Sequence, residues 1–369
     1  MRITLLDVQS EKKVYRDYNG GYGTTFNAGR SFLGRILTNI RNNNEHFPYL
    51  PYVYTATIFK ENGHEVSMQI DNIPETDLVI MHASMPNHQA EKRQLVKLKE
   101  RDIKVGLIGP FAASKPELFP EAEFIIKGDV EAIMTKIAKD EKIPQGIVHE
   151  DIGNLDDLSF PNWSLFPIND YSYHPMINKK PFTFILSSRG CTYGCNYCPY
   201  ISEANNGRNF RTRSVKNVVA ELKYLIDNYG VKGVQFRDPI FTLNAKRVKE
   251  MCEEIIKQGI KMEMGCETRL DRMDIDMVDL MYKARFRALK VGIESADLEI
   301  LKQSKRLPIA FEHQEKIIYH CEKIGMKVIA FYVIGIENDT HETVQATLDY
   351  SKKLNTDFAN FTICTPIPG

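Results

Sequence analysis

The chain has 369 residues, too many for one ordinary domain, so two are expected. Its 48 basic and 48 acidic side chains cancel, which removes support for a polyanion-binding surface and argues against a nucleic-acid partner. The longest uncharged apolar run, residues 328–336, is far too short to span a membrane, and "MRITLLDVQS" lacks a signal-peptide core, so no transmembrane segment and a cytoplasmic location are expected.

Residues 1–140 read as strands alternating with helices. Strands fit "RITLL", "EVSMQI", "DLVIMH", "KVGLIG" and "EFIIKG"; helices fit "YVYTATIFKENG", about 87–101 and 130–139. Short apolar strands between amphipathic helices imply a parallel sheet covered on both faces. Such sheets bind ligands at the carboxyl ends of their strands, here at Asp7, residues 84–86, 109–114 and 128–129. Residues 10–48 interrupt the pattern with "NGGYGTTFNAG". This lacks the strand-turn-helix context of a dinucleotide fingerprint and is read as an excursion or ligand cover.

Residues 141–181 carry prolines 144, 161, 167, 175 and 181 and the single tryptophan, Trp163. They are expected to form an extended linker with Trp163 as its packing anchor. From 182 to 369 a second alternation gives six strands: "FTFILS", "GVQFRD", "KMEMGCE", "ALKVGIE", "MKVIAFYVIG" and "FANFTICT". Helices fit about 215–229, 245–258, 273–284, 310–325 and 340–354. Serial parallel strands of this kind make a full or partial barrel with its chemistry at the carboxyl ends. The sixth strand runs straight into "TPIPG", so a final helix and a C-terminal part are expected to be missing. The fold class is therefore α/β: an open parallel sheet followed by a partial (β/α)6 barrel.

"SSRGCTYGCNYCPY" follows the first barrel strand and holds Cys191, Cys195 and Cys198. Three thiolates on a tight loop can each hold one iron of a 4Fe-4S cubane, and the fourth iron stays open. Gly190 and Gly194 let the loop bend. A reducing compartment and an odd total of seven cysteines speak against a disulfide framework. A zinc site would need a fourth ligand, and the nearest histidine is His174. A Cys-x-x-Cys redox pair would use only two of the three thiols. Cys252, Cys266, Cys321, Met262, Met264, Met273, Met277 and Met281 are read as packing residues; Cys364, at the sixth strand's end, is read as packing or as a substrate-facing thiol.

The Cys-x3-Cys-x2-Cys spacing, with Tyr197 before the last cysteine, resembles the radical S-adenosylmethionine (radical SAM) superfamily. The flanking "SSRG" and "PY", and "LSFPNWSLFP" in the linker, resemble its cobalamin-binding subfamily. The resemblance implies a Rossmann-like cobalamin-binding domain at 1–140, a linker at 141–181 and a radical SAM barrel at 182–369. It implies three cofactors: a 4Fe-4S cluster, S-adenosylmethionine and cobalamin. For S-adenosylmethionine it points to Tyr197 beside the adenine, Asp238 at the amino group and Arg269 at the carboxylate. Glu294 and Ser295 would meet the ribose, and Gly335 would allow close approach of the adenine. For cobalamin it points to loops containing Ser84, Gly109, Pro110, Gly128 and Asp129, although no Asp-x-His-x-x-Gly motif supplies an axial histidine.

The expected activity is reductive cleavage of S-adenosylmethionine, with methylation or rearrangement of an unactivated carbon and sensitivity to oxygen. A small-molecule, lipid or peptide substrate and an electron donor such as flavodoxin or ferredoxin are implied; no catalytic side chain is assigned. Two other readings stand beside it. A radical methylthiotransferase would carry further cysteines ahead of the barrel, and residues 1–190 contain none. A zinc-stapled, cobalamin-sensing binding protein would hold zinc in place of iron.

Overall fold

The computed structural model describes residues 1–9, 13–17 and 19–369. Part of the expected 10–48 insertion, residues 10–12 and 18, lies outside the described residues. The chain forms two compact units. One comprises Met1–Tyr171, Ser202–Gly207 and Pro368–Gly369; the other comprises Ser172–Ile201 and Arg208–Ile367.

In the first unit, the strands are β1 (Arg2–Asp7), β2 (Glu65–Ile70), β3 (Leu78–His82), β4 (Lys104–Ile108), β5 (Phe124–Ile126) and β6 (Gly146–Val148). They form one parallel sheet in the order β2-β1-β3-β4-β5-β6. β1 is flanked by β2 on one side and β3 on the other, so the strand order reverses there. This is the switch point at which an open sheet leaves a crevice. The helices are α1 (Phe32–Asn44), α2 (Leu50–Glu61), α3 (His88–Glu100), α4 (Pro110–Ser114) and α5 (Glu131–Asp140). Every residue of β3 is buried, the pattern of a strand covered on both faces.

Two features depart from the sequence pattern. α1 lies inside the expected excursion. β6 lies inside the expected linker and pairs with β5 through Phe124↔Gly146 to Ile126↔Val148. Trp163 is the anchor its position suggested: it is buried, with its ring 6.1 Å from Phe166 and 6.3 Å from Tyr171.

The second unit contains β7 (Phe182–Ile185), β8 (Ser188–Arg189), β9 (Arg211–Thr212), β10 (Gly233–Phe236), β11 (Glu263–Thr268), β12 (Phe286–Glu294), β13 (Lys327–Ile334) and β14 (Phe358–Ile363). Six of these form a parallel sheet in the order β14-β13-β12-β11-β10-β7, and β8 pairs with β9 as a short antiparallel ribbon. Each neighbour in the large sheet is the next of that sheet's own strands along the chain, as in a partial barrel; β7 and β14 are its open edges. The helices are α6 (Val215–Tyr229), α7 (Ala245–Lys257), α8 (Ile275–Lys283), α9 (Leu298–Gln303), α10 (Phe311–Ile324) and α11 (His341–Leu354). The starts of α6, α7, α8 and α11 are fixed by side chains that accept orphan amides: Ser214 from Asn217, Asn244 from Arg247, Asp274 from Met277 and Thr340 from Thr343. Met262, Met264, Met273, Met277, Met281, Cys252, Cys266 and Cys321 are buried in this unit's core, as packing residues should be.

Candidate active site

The carboxyl end of β7 leads through β8 into the cysteine loop. Asp238, just past β10, holds this entry in place. Its Oδ1 accepts from the Ser187 amide at 2.8 Å, and its Oδ2 accepts from the Ser187 and Ser188 hydroxyls at 2.5 and 2.6 Å. Arg247, on α7, donates to the Ser187 carbonyl at 2.8 Å. Asp238 is fully buried, and burial raises its pKa against the pull of the two serine hydroxyls. This carboxylate, the one expected at an amino group, accepts from three donors of the loop's own entry segment.

The loop itself is pinned on two sides. The Asn196 amide donates to the Ser304 carbonyl at 3.1 Å. The Tyr193 ring lies 4.4 Å from the Arg269 guanidinium, and its hydroxyl accepts from Arg272 Nε at 2.8 Å. Gly190 has φ +77°, and a Cβ there would stand 1.9 Å from the Asn209 carbonyl oxygen. Only glycine tolerates both conditions.

Cys191, Cys195 and Cys198 are free thiols, the first two buried. Burial raises the Cys191 pKa and pushes Cys198 up to about 12, and the neighbouring thiols add to both shifts. Among the described residues, no three His, Cys, Asp or Glu side chains gather as ligands for one metal ion. A cubane interposes its own irons and sulfides, so its thiolates stand farther apart than the ligands of a lone zinc. Soft sulfur donors on a buried loop fit an iron–sulfur cluster.

Beside the thiols lies a pair that the sequence did not reveal. Arg306 is buried, interacts by hydrogen bond with Cys195 and sits 3.3 Å from Glu294 Oε1. Burial works against its charge, but Glu294, Tyr197 and Cys195 outweigh it and raise its pKa. Glu294 ends β12 with φ +71°, an uncommon backbone for a side chain of this size. Gly292 makes room for the pair: a Cβ there would stand 2.3 Å from Glu294 Oε1 and 2.9 Å from Arg306 Nη2. Tyr197 belongs to the same group. Burial raises its pKa first, Glu294 second, and its hydroxyl has no partner. Arg269 donates to Asp271 at 2.9 Å and to the Leu307 carbonyl at 3.0 Å, and its buried Nη1 has no partner. These two orphaned polar atoms fit a polar ligand such as S-adenosylmethionine.

Charge interactions thus link Cys191, Cys195, Cys198, Tyr197 and Glu294 in one group with Arg306, and Arg269 joins it through Cys191. Ser295 is turned to local structure: its Oγ accepts from the Asp297 amide at 3.1 Å and lies 3.3 Å from Thr347 Oγ1. Gly335 adopts φ +80°, its amide donates to Asp339 at 2.8 Å, and the space a Cβ would take is open. Cys364 is half-buried at the end of β14.

In the first unit the switch point is filled by one buried cation. Arg16 pairs with Asp7 at 2.5 Å and Glu91 at 2.7 Å, donates to the Val8 carbonyl at 2.7 Å and lies 3.2 Å from His82 Nδ1. Burial and then Arg16 hold the His82 pKa well below its usual value, so the ring is neutral. Ser84 donates through its amide and hydroxyl to Glu91. Gly109, at φ +100°, lies against His82, and Pro110 lies against Gly21. Gly128, at φ +83°, donates to the Ala204 carbonyl and leaves no room for a Cβ beside Asn206. Asp129 is half-buried in the same loop. The close approaches at Gly109 and Gly128 are thus made by the chain itself. What stays open on this edge is a cavity of about 540 Å³ at the ends of β1 and β2, lined by residues including Tyr15, Tyr49, Tyr52, Phe166 and Tyr171. That is the size of a cofactor subsite.

Residues 185–350 match the Radical SAM superfamily. An uncharacterized methyltransferase of Pyrococcus horikoshii is 31 % identical over 218 residues, 59 % of this chain and 46 % of its own. Cytidylyl-2-hydroxyethylphosphonate methyltransferase of Streptomyces wedmorensis is 28 % identical over 229 residues, covering 59 % and 42 %. The anaerobic magnesium-protoporphyrin IX monomethyl ester cyclase of Rubrivivax gelatinosus is 29 % identical over 234 residues, covering 63 % and 41 %. This chain thus spans less than half the length of each of these relatives. Among solved structures, the radical S-adenosylmethionine methyltransferase TsrM from Kitasatospora setae, with cobalamin and a [4Fe-4S] cluster bound, superposes with a TM-score of 0.68. That match has 16 % identity and covers 98 % of this chain and 75 % of TsrM. The cobalamin-dependent radical enzyme OxsB superposes at 0.65 with 14 % identity, covering 95 % and 51 %. Residues 185–350 thus carry a Radical SAM superfamily domain, and the chain shares the fold of TsrM and OxsB.

Proposed function

We propose that this chain is the radical SAM part of an enzyme that methylates or rearranges an unactivated carbon, with Cys191, Cys195 and Cys198 as cluster ligands. When bound, the 4Fe-4S cluster supplies the electron for reductive cleavage of S-adenosylmethionine, and cobalamin supplies a methyl carrier. The observation that carries the reading is the assembly of three free thiols, two of them buried, with Arg306, Glu294 and the unpartnered Tyr197 hydroxyl and Arg269 Nη1.

Each side chain has a role in this reading. Arg306 offsets thiolate charge beside Cys195 and orients Glu294. Glu294 accepts from hydroxyl or ammonium groups of S-adenosylmethionine. Arg269, pre-set by Asp271 and the Tyr193 ring, offers Nη1 to the methionine carboxylate. Asp238 is a positioning residue that holds Ser187 and Ser188. Cobalamin enters on the shared fold and on the cavity at β1 and β2. Ser84, Gly109, Pro110, Gly128 and Asp129 would shape that edge chiefly by packing against the chain. The enzyme would work in the cytoplasm on a small-molecule, lipid or peptide substrate, with flavodoxin or ferredoxin as electron donor. No helix among the described residues is long and apolar enough to cross a membrane.

The test is anaerobic reconstitution with iron, sulfide and hydroxocobalamin, followed by desalting and metal analysis. About four irons per chain, stoichiometric cobalt and turnover of S-adenosylmethionine are expected. Iron without cobalt removes cobalamin from the proposal. Zinc retained in place of iron overturns it and restores the binding-protein reading.

A further inference from the structure

α1 is an amphipathic helix mounted with its apolar face outward. Ser31 caps it by accepting from the Gly34 amide at 3.0 Å. Its inner face is Gly34 and Thr38. A Cβ at Gly34 would stand 2.7 Å from the Ala28 carbonyl oxygen, and the Ala28 amide donates to Thr38 Oγ1 at 2.9 Å. No side chain fits at Gly34, so the orientation is set by the close approach of the 28–29 backbone. Phe32, Leu33, Ile36, Leu37 and Ile40 then fall on roughly 140° of the outer arc, at about 100° per residue. Phe32 is 83 % exposed, Leu33 65 % and Ile40 53 %. Single exposed apolar residues need no explanation, but five on one stripe do.

The charges around the stripe say what covers it. Between Asp17 and Glu45 the sequence has no acidic residue and three arginines, Arg30, Arg35 and Arg41. Arg41 is held by Glu45 at 2.6 Å and stacks 4.0 Å from Phe26. Arg30 and Arg35 are exposed, with no ion-pair partner among the described residues. Arg35 lies about 60° to one side of the arc and Arg41 about 40° to the other, by the same helical geometry. An apolar stripe with basic side chains at its margins suits a helix lying in the headgroup region, where arginines snorkel to phosphates.

We propose that α1 docks this protein on an anionic phospholipid surface, inserting Phe32, Leu33, Ile36, Leu37 and Ile40 with Arg30 and Arg35 at the headgroups. The mode is peripheral and reversible, because the apolar area is that of one short helix.

Flotation of the full 369-residue chain with phosphatidylcholine vesicles, with and without phosphatidylglycerol, tests this. Wild type should float with the anionic vesicles and much less with the neutral ones, and salt should weaken the binding. Leu33→Glu with Ile40→Glu should cut partitioning by about tenfold or more. Arg30→Gln with Arg35→Gln should cut it by about tenfold on anionic vesicles and leave the neutral ones unchanged. All four positions are exposed, so iron content after reconstitution should match wild type. Failure of wild type to float overturns the proposal. So does equal flotation of the glutamate variant. A glutamate variant that floats like wild type but sediments as a smaller species would assign the stripe to a second copy of the chain instead.

Discussion

Glu294 Oε1 and Arg306 Nη2 lie 3.3 Å apart in an enclosed pair, formed over Gly292 and beside Cys195. Removing one partner leaves a buried charge without its counterion. Arg306→Met should therefore cost about 3 kcal/mol of unfolding free energy. Glu294→Gln in that background should recover part of it, because the orphaned carboxylate is gone. Urea denaturation of the two single variants and the double variant gives the coupling; an additive result would show that the pair does not act as a unit.

Gly190 and Gly194 flank the first two thiols but should respond differently to alanine. At Gly190 the obstacle is the Asn209 backbone and the left-handed φ, so Gly190→Ala should cost about 3 kcal/mol and impair iron uptake. At Gly194 the obstacle is the tip of the Arg208 side chain, which can swing away, so the cost should stay within about 1 kcal/mol. Thermal midpoints and iron content of the two variants decide; equal losses would contradict the difference in what each Cβ meets.

Asp238→Ala strands three donors in the interior, the Ser187 amide and two serine hydroxyls. It should cost about 3 kcal/mol or more. If Asp238 positions the loop, the Ser187→Ala, Ser188→Ala double variant should lower iron occupancy in the same direction. S-adenosylmethionine affinity of correctly loaded Asp238→Asn protein should stay close to wild type. A large loss of affinity with iron content intact would return Asp238 to direct contact with the ligand.

Iron loading should depend on pH. Iron binds the thiolate, and burial raises the Cys191 pKa and pushes Cys198 up to about 12. Below those values the free thiols are protonated, so loading must release protons and becomes harder as pH falls. Cluster yield from timed reconstitution should rise across roughly pH 6.5 to 8.5. A yield independent of pH would mean that the thiols are already ionised before iron arrives.

The framework was legible because it rests on short-range patterns. Apolar runs marked eleven of the twelve large-sheet strands within two residues or so of their ends, and the cysteine spacing marked the loop between β8 and β9. What escaped depends on distant partners. Arg306 sits in "SKRLP", with no motif, and acquires meaning only when β12 brings Glu294 and the 304–306 segment brings Arg306 to the thiols. Asp238 was legible as a strand-end carboxylate, but its donors lie some 50 residues earlier in the chain. β6 is three residues long amid prolines, too short for a period to show. α1 escaped because its apolar stripe faces away from the core in a Gly- and Asn-rich context.

The order of synthesis gives the Asp238 contacts a further meaning. The three thiols leave the ribosome well before Asp238 and more than a hundred residues before Arg306. A nascent chain thus exposes three soft thiols before the carboxylate that holds the loop's entry and the arginine that offsets their charge have been made. Correct loading belongs after translation, and before it the loop is a substrate for zinc or for oxidation. Cells that make this protein faster than they can deliver iron and sulfide should accumulate a chain that is folded around an empty or wrongly metallated loop.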